Sequence, residues 1–210
     1  MSKAPSLRTT VKRVPDRAEY DRGAIHEILD SALICHVGFV QESQPYVIPT
    51  IHVRRDESLY VHGATGSRML KVLDRGGPIC VTVTLLDGLV LARSAFHHSM
   101  NYRSAVVLGS ARVVDDEQEK LDAMRALVEH ASPGRWQEIR PPNKGEFART
   151  KVLALSLEES SAKVRTGPPV DEEDDYALEV WAGVIPVEQK FGKPIDDPRL
   201  QGGANPPCVR

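Results

Sequence analysis

Most of residues 34–114 consists of short, strand-like segments that follow one another through turn-forming residues, with few helical patterns between them. The predicted strands lie at residues 34–40, 46–54, 58–63, 79–86, 89–94, 102–114 and 152–157. A doubly wound sheet would need a helix between most of its strands. The sequence therefore predicts a mainly β fold with helices (α+β), a small closed β-barrel with helical decoration.

Four helices complete the predicted order of elements. They cover residues 16–33 with Asp16 as the cap, 67–74, 115–130 opened by Asp115, and a short stretch near Glu146. Asp87-Gly88 is a strong turn signal and predicts a hairpin between the strands at 79–86 and 89–94.

Length and composition predict one domain with extensions. The 210 residues divide into an arm at 1–15, a domain at 16–187 and an extended tail at 188–210. With 27 Lys+Arg against 29 Asp+Glu, the chain lacks the basic excess of a nucleic-acid or membrane-surface binder. No apolar run is long enough to span a membrane, and the start of the sequence has no signal-like apolar segment. Three cysteines without a CxxC pair, Cys35, Cys80 and Cys208, fit a reducing cytoplasm.

Residue alternation assigns two faces to the strand at 46–54. Val47, Pro49, Ile51 and Val53 are all apolar, which predicts that they face the barrel core. Ile48, Thr50, His52 and Arg54 would then form a half-polar outer wall together with Tyr60 and His62. A tight turn at 55–57 would set His62 across from Thr50 and Tyr60 across from His52. This wall is interpreted either as a functional surface or as an ordinary solvated exterior.

A candidate anion site follows the strand at 58–63. A turn containing Gly63 and Gly66 leads into a helix that opens with Ser67 and Arg68, so backbone N–H groups, a hydroxyl and a guanidinium converge. Lys71 adds a charge one turn later. The alternative interpretation is a simple helix cap with a solvated arginine.

A second polar cluster surrounds His97 and His98. Neighbouring residues of an extended chain point to opposite sides, so at most one of the two is expected to join a shared site. The histidines show no metal-binding spacing, so no metal site is predicted. Cys35 and Cys80 lie in apolar strands and are interpreted as buried residues.

Six segments in order resemble a known family. They cover residues 45–50, 59–68, 81–94, 96–104, 161–167 and 181–186. Together they are similar to the flavin-nucleotide-binding proteins related to pyridoxamine 5'-phosphate oxidase, in the branch that includes nitroimidazole-resistance proteins. The resemblance implies an FMN-binding split β-barrel that works as a homodimer with flavin at the subunit interface, and FAD is the alternative cofactor.

The resemblance also implies roles for individual residues. The backbone at 47–50 would line the isoalloxazine edge, Ser67 and Arg68 would take the phosphate, and Arg103 and Ser104 would come from the partner subunit. The implied cofactor contacts are Val47, Ile48, Pro49, Thr50, Val61, His62, Ser67, Arg68, Arg103, Ser104 and Trp181, with Lys71 added from the anion site. Two departures, Met69 in the phosphate loop and Ala182-Gly183 after Trp181, speak against oxidation of pyridoxamine phosphate.

The resulting hypothesis is a flavin-dependent oxidoreductase that passes electrons to a small electron-poor acceptor. His62 or His98 is the candidate proton donor, because an imidazole titrates near neutrality. Two alternatives stay open. One is a flavin carrier or sensor without turnover, and the other is a haem-binding split barrel in which one histidine is an axial ligand.

Overall fold

The computed structural model describes residues 3–200, 205–207 and 209 of the chain. Parts of the predicted arm and tail, together with Cys208, lie outside the described residues. The division into arm, domain and tail stays a prediction. None of the described helices has the length and apolar character needed to cross a membrane.

Ten strands and four α-helices make up the regular structure of the described residues. The strands are β1 (Ala18–Glu19), β2 (Ile34–Gln41), β3 (Gln44–Arg55), β4 (Ser58–Ala64), β5 (Pro78–Leu91), β6 (Ser99–Ser110), β7 (Arg112–Val113), β8 (Thr150–Ser156), β9 (Ser160–Arg165) and β10 (Gly183–Pro186). The helices are α1 (Arg22–Ser31), α2 (Arg68–Leu73), α3 (Glu117–Ala131) and α4 (Lys144–Arg149).

All the strand pairs are antiparallel, and the sheet order is β1-β9-β6-β5-β2-β3-β4-β8-β7, with β10 pairing to β5. β8 and β9 follow one another in the chain yet lie near opposite ends of this order, which curls the sheet into a barrel. Gly109 of β6 lies where the two ends approach, since a Cβ there would stand 2.9 Å from Leu155 Cδ1 of β8. The predicted mainly β fold is confirmed.

The barrel interior is filled by aliphatic side chains, as expected of a chain with only 5% aromatic residues. β2, β4, β5, β6 and β8 supply inward residues, and α1 and α2 close the barrel with Leu29 and Leu70. A second, smaller cluster lies outside the barrel, where Leu127 of α3 covers Val53 and Tyr60. Both faces of the sheet are therefore buried where α3 packs.

Helix positions were predicted better than helix caps. α1 is capped by Asp21, whose carboxylate accepts from the Ala24 N–H at 3.1 Å, and not by Asp16. Asp16 instead lies in a 3₁₀ turn that precedes β1. α3 is capped by Asp116 rather than Asp115. In both cases the predicted cap and the observed cap are aspartates close together in the sequence, and the N-cap preference for aspartate does not distinguish between them.

The predicted hairpin at Asp87-Gly88 is wrong. β5 runs without a turn from Pro78 to Leu91 and pairs with β6 along its whole length, with an irregularity between Leu86 and Gly88. Gly88 lies at this bulge, where β10 approaches closely. A Cβ at this position would lie 2.9 Å from Val184 Cγ1, so the close approach requires glycine. The predicted strand at 102–114 is likewise divided at Ala111, where the chain leaves β9 as partner and pairs with β8 instead.

The predicted faces of β3 are reversed. The loop to β4 has two residues, 56 and 57, so His52 pairs with Val61 and Tyr60 with Val53. A slip of one residue moves every side chain to the other face. Val61 is buried in the barrel, so His52 faces inward; Val53 and Tyr60 face outward beneath α3.

The side chains predicted to form the core therefore lie on the outer face. These are Val47, Pro49, Ile51 and Val53. Ile48, predicted on the outer wall, packs against the interior.

Candidate functional site

The outer surface of β2 and β3 carries apolar side chains that nothing in the described chain covers fully. Val47 is 66% exposed and Ile34 56% exposed, while His36 and Pro49 are exposed and pair with each other. We call these four residues the open face. Exposed apolar surface of this kind marks interaction sites. The open face includes two of the predicted isoalloxazine contacts, Val47 and Pro49.

The predicted phosphate residues lie in the turn between β4 and α2. Ser67 stands at the N-cap of α2, and its N–H donates to the Ala64 carbonyl at 2.9 Å. The Arg68 guanidinium lies 4.7 Å from the centre of the Tyr46 ring, a cation–π distance. Neither Arg68 nor Lys71 forms an ion pair with another described residue. The turn thus presents two uncompensated positive charges.

His62 lies on the outer face of β4, opposite Val152 of β8. It borders a pocket of about 350 Å³ beneath α3 that is lined almost entirely by apolar groups. Its Nδ1 is enclosed and has no hydrogen-bond partner among the described residues. Burial lowers the pKa of this imidazole below its ordinary value of 6.5, so the neutral form is favoured. His62 is therefore on the outer wall as predicted, but it does not share that wall with His52.

His97 and His98 lie between β5 and β6 and have different surroundings. His98 is exposed, and its Nδ1 is 2.9 Å from the Ser94 carbonyl. His97 is half-buried, with Nε2 3.4 Å from Glu172 Oε1. The backbone here is held by Asp171, whose carboxylate accepts from the Arg93 N–H at 3.0 Å. The loop is thus fixed by contacts with residues that precede β10.

Arg103 and Ser104 lie on β6 and already have partners within the chain. Arg103 donates to both carboxylate oxygens of Asp87, at 2.9 and 3.0 Å, and this pairing raises its pKa. Ser104 Oγ is 3.4 Å from the Lys163 carbonyl. Among the described hydrogen bonds and ion pairs, none joins Arg103 or Ser104 to Ser67 or Arg68 within the chain.

Trp181 precedes β10 and is 62% exposed. Its ring lies against the backbone of Gly183, where a Cβ would be 2.9 Å from Cζ2. This contact orients the indole while leaving most of its surface free. β10 holds the segment in place through its pairing with β5.

Sequence reasoning missed a pair of buried histidines. His52 Nε2 donates to the Leu29 carbonyl at 2.9 Å, and His130 Nε2 lies 2.8 Å from the Ala32 carbonyl. The two rings are 5.8 Å apart and occupy the end of α1, where carbonyl groups lack helical partners. Burial lowers the pKa of His52 to about 4. This pair has a structural role. It could not be predicted from the sequence because it depends on the strand register of β3 and on how α1 and α3 pack.

A pocket of about 610 Å³ beside the open face was also missed. It lies between the end of α1, β2 and β5, and is bordered by His36 and by Lys190 and Phe191 of the predicted tail. The tail lacks the hydrophobic periodicity that would have signalled this packing. Among the described residues, no group of three or more His, Cys, Asp or Glu side chains is arranged to hold a metal ion.

Comparisons with known proteins assign this architecture to a family. A family model described as pyridoxamine 5'-phosphate oxidase matches residues 21–164. No protein with a curated functional description matches the chain in sequence.

Solved structures give a closer likeness. The flavocytochrome Anf3 from Azotobacter vinelandii is 43% identical, with a TM-score of 0.93, and the match covers 98% of this chain and 96% of that one. An FAD and haem binding protein from Mycobacterium smegmatis is 35% identical, with a TM-score of 0.87 and coverage of 91% and 94%.

A Bacteroides thetaiotaomicron protein described as a 5-nitroimidazole antibiotic resistance protein shares the fold. It is 24% identical, with a TM-score of 0.58 and coverage of 70% and 86%. These likenesses confirm the split barrel. The chain belongs to the pyridoxamine 5'-phosphate oxidase-like family.

Proposed function

We propose that this protein is a redox protein that binds both a flavin and haem, works as a homodimer and passes electrons to a small electron-poor acceptor. The observation that carries the proposal is the likeness, over nearly the whole of both chains, to a flavocytochrome at 43% identity. A second structure, 35% identical, is described as binding FAD and haem. On that ground we favour FAD over the FMN expected from the sequence.

The residues of the chain fit a flavin. A flavin nucleotide combines a flat ring system with negatively charged phosphate, and the ring needs apolar contact as well as hydrogen-bonding groups. Val47 and Pro49 offer exposed apolar side chains on the open face. Arg68 and Lys71 offer positive charges that no described carboxylate neutralises, with Ser67 between them and the strand.

The chemistry of electron transfer would belong to the cofactors, which accept and release electrons singly or in pairs. The protein would supply binding, orientation and exclusion of water. His98 stays a predicted proton donor, since it is exposed and its side chain can reach solvent. Cys35 and Cys80 are unpaired, in keeping with the reducing cytoplasm we propose as its location.

The dimer is proposed because one chain leaves the predicted site incomplete. Arg103, Ser104 and Trp181 were expected to meet the flavin, yet within one chain Arg103 is paired with Asp87 and no described hydrogen bond or ion pair joins it to Ser67 or Arg68. The open face supplies the apolar surface that a second copy would cover. A second subunit would bring these residues to the site across the interface.

Absorption spectroscopy of the purified protein tests the proposal. We expect two flavin bands in the near-ultraviolet and blue together with an intense Soret band of haem. Heating the protein releases the bound flavin, and chromatography of the released cofactor identifies it as FAD or FMN. A protein that shows neither chromophore, and takes up neither FAD nor haemin when they are added, would contradict the proposal.

Reoxidation of the reduced protein distinguishes an enzyme from a flavin carrier. The protein is reduced without oxygen, a nitro compound or a quinone is added, and the return of the oxidised flavin absorbance is followed. We expect rapid, repeated reoxidation from an enzyme, whereas a carrier or sensor keeps its reduced flavin under the same conditions.

A further inference from the structure

The side chains of Tyr46 and Arg68 form a contact between two elements that the sheet does not pair directly. Tyr46 lies on β3 and Arg68 begins α2, and the guanidinium carbon is 4.7 Å from the centre of the tyrosine ring. Among the described strand pairs, β4 meets β3 over residues 52–55, so residues 44–51 are paired on one edge, with β2. The contact therefore ties the turn between β4 and α2 to the part of β3 that has a free edge.

The Tyr46 ring is itself held in place by the barrel. Tyr46 is paired with Phe39 across β2 and β3, and their rings stack with centres 5.5 Å apart and planes inclined by 18°. Phe39 is buried, with 3% of its surface exposed, and Tyr46 is half-buried. Among the described hydrogen bonds, the hydroxyls of Tyr20 and Tyr60 take part and that of Tyr46 does not. Tyr46 thus presents a fixed ring to Arg68, and its hydroxyl has no part in the contact.

A guanidinium can stack on a ring and bind an anion at the same time. It contacts an aromatic ring through its flat face, whereas its N–H groups point outward from its edge. Arg68 is exposed, and none of the described hydrogen bonds or ion pairs uses that edge. An unrestrained arginine loses rotamer freedom when it binds a ligand, and a stack that already restrains the side chain reduces this loss.

We propose that Tyr46 is a positioning residue for the flavin phosphate, because its ring holds the Arg68 guanidinium and leaves the N–H edge to the phosphate. This inference rests on the flavin part of the proposed function. The ring supplies no charge of its own, so its effect on the phosphate passes through Arg68. Tyr46 should therefore matter for FMN and FAD, which carry phosphate, and not for riboflavin, which has none.

The test compares the binding of FMN and of riboflavin by the full-length, flavin-depleted protein and its Tyr46 variants, using flavin fluorescence. We expect Tyr46→Leu to lose roughly two- to fivefold of its FMN affinity, the effect of a cation–π contact at an exposed site, and to keep its riboflavin affinity. Tyr46→Phe retains the ring and should match the wild type. Phe147→Leu removes another ring beneath a cation, with Lys120 Nζ at 4.2 Å, and should also match the wild type.

A double-mutant cycle tests whether the effect of Tyr46 passes through Arg68. In a protein that already carries Arg68→Ala, the further change Tyr46→Leu should leave FMN affinity unaltered. Equal losses of FMN and riboflavin affinity in Tyr46→Leu would overturn the inference. The same loss of FMN affinity with and without Arg68 would also overturn it.

Another variant covers the case in which Tyr46→Leu folds poorly. Arg68→Lys leaves the stack of Tyr46 on Phe39 in place and keeps a positive charge, but an ammonium has neither a flat face nor a fork of donors. It should bind FMN more weakly than the wild type and riboflavin equally well, with an unchanged circular dichroism spectrum. Wild-type FMN affinity in Arg68→Lys would overturn the inference while leaving the proposed function intact. A wild-type protein that binds no FMN, FAD or riboflavin would instead contradict the flavin part of the proposed function itself.

Discussion

Individual histidines in this protein have very different surroundings. His52 is fully buried and donates to a helix-end carbonyl, whereas His62 borders a pocket with an enclosed nitrogen that has no partner. The two residues lie on adjacent strands and face opposite sides of the sheet. Residue type alone therefore does not assign a role.

The buried His52 makes folding stability depend on pH. Its pKa is about 4 in the folded protein and about 6.5 when unfolded, so the unfolded chain binds more protons between these values. The contribution is fully present above pH 6.5 and is lost as the pH falls towards 4, by about 3 kcal/mol in total. Urea denaturation at several pH values measures it.

Replacement of His52 should remove this dependence. His52→Gln is expected to flatten the slope of unfolding free energy between pH 4 and 6.5, even though the variant is less stable overall. His98→Gln, at an exposed position, is the matched control and should retain the wild-type slope. An unchanged slope in His52→Gln would show that another group titrates.

Arg68 is the residue on which we expect flavin phosphate binding to depend most. A hydrogen bond to a charged group contributes roughly 1.5–3 kcal/mol, so Arg68→Ala should weaken flavin binding about ten- to a hundredfold. Ser67→Ala should cost less, because backbone N–H groups remain. Arg75→Ala removes an exposed arginine just beyond α2 and should bind flavin normally. Fluorescence titration with FAD measures all four proteins, and equal affinities would place the phosphate elsewhere.

At the scale of elements, hydrophobic periodicity predicted whether a segment forms a helix or a strand, but not which part of the protein packs against each of its faces. α1 and β8 were predicted because their apolar residues recur at helical or strand spacing. The hairpin at Asp87-Gly88 was wrong because pairing with β6 outweighs a local turn signal. The faces of β3 were reversed because α3, distant in sequence, buries Ile51 and Val53 from outside. The histidine pair and the pocket at His62 depend on the same long-range packing, so no local pattern reveals them.

The bulge at Gly88 joins β5 to β10 and so positions Trp181. Gly88→Val would bring a side chain against Val184 and the Ile185 carbonyl, whose oxygen would lie 3.1 Å from the new Cβ. We expect a loss of about 1–3 kcal/mol in stability. We also expect a changed tryptophan fluorescence as β10 separates from β5. Gly66→Ala, with no atom within 4 Å of the added Cβ, is the control for thermal unfolding and should behave as wild type.

At the scale of the whole molecule, the exposed apolar surface of the open face leads us to predict a dimer. We also expect flavin binding to require that dimer. Val47→Glu introduces a charge on this face and should yield a monomer with little flavin, as sedimentation and absorbance would show. Ile195→Glu changes a side chain that is 96% exposed and should leave the dimer intact. A stable Val47→Glu monomer with a full complement of flavin would refute the shared site.

The position of β8 beside β4 also governs how the protein is made. β4 ends at Ala64, and its partner strand begins only at Thr150. During synthesis at about 5–20 residues per second, the edge of β4 therefore waits roughly 4–17 s for the strand that covers it. β6 likewise waits for β9, which pairs with it from Ser160 onward. Unpaired strand edges associate with other chains. We therefore expect the nascent protein to be most prone to aggregation before residues 150–165 leave the ribosome.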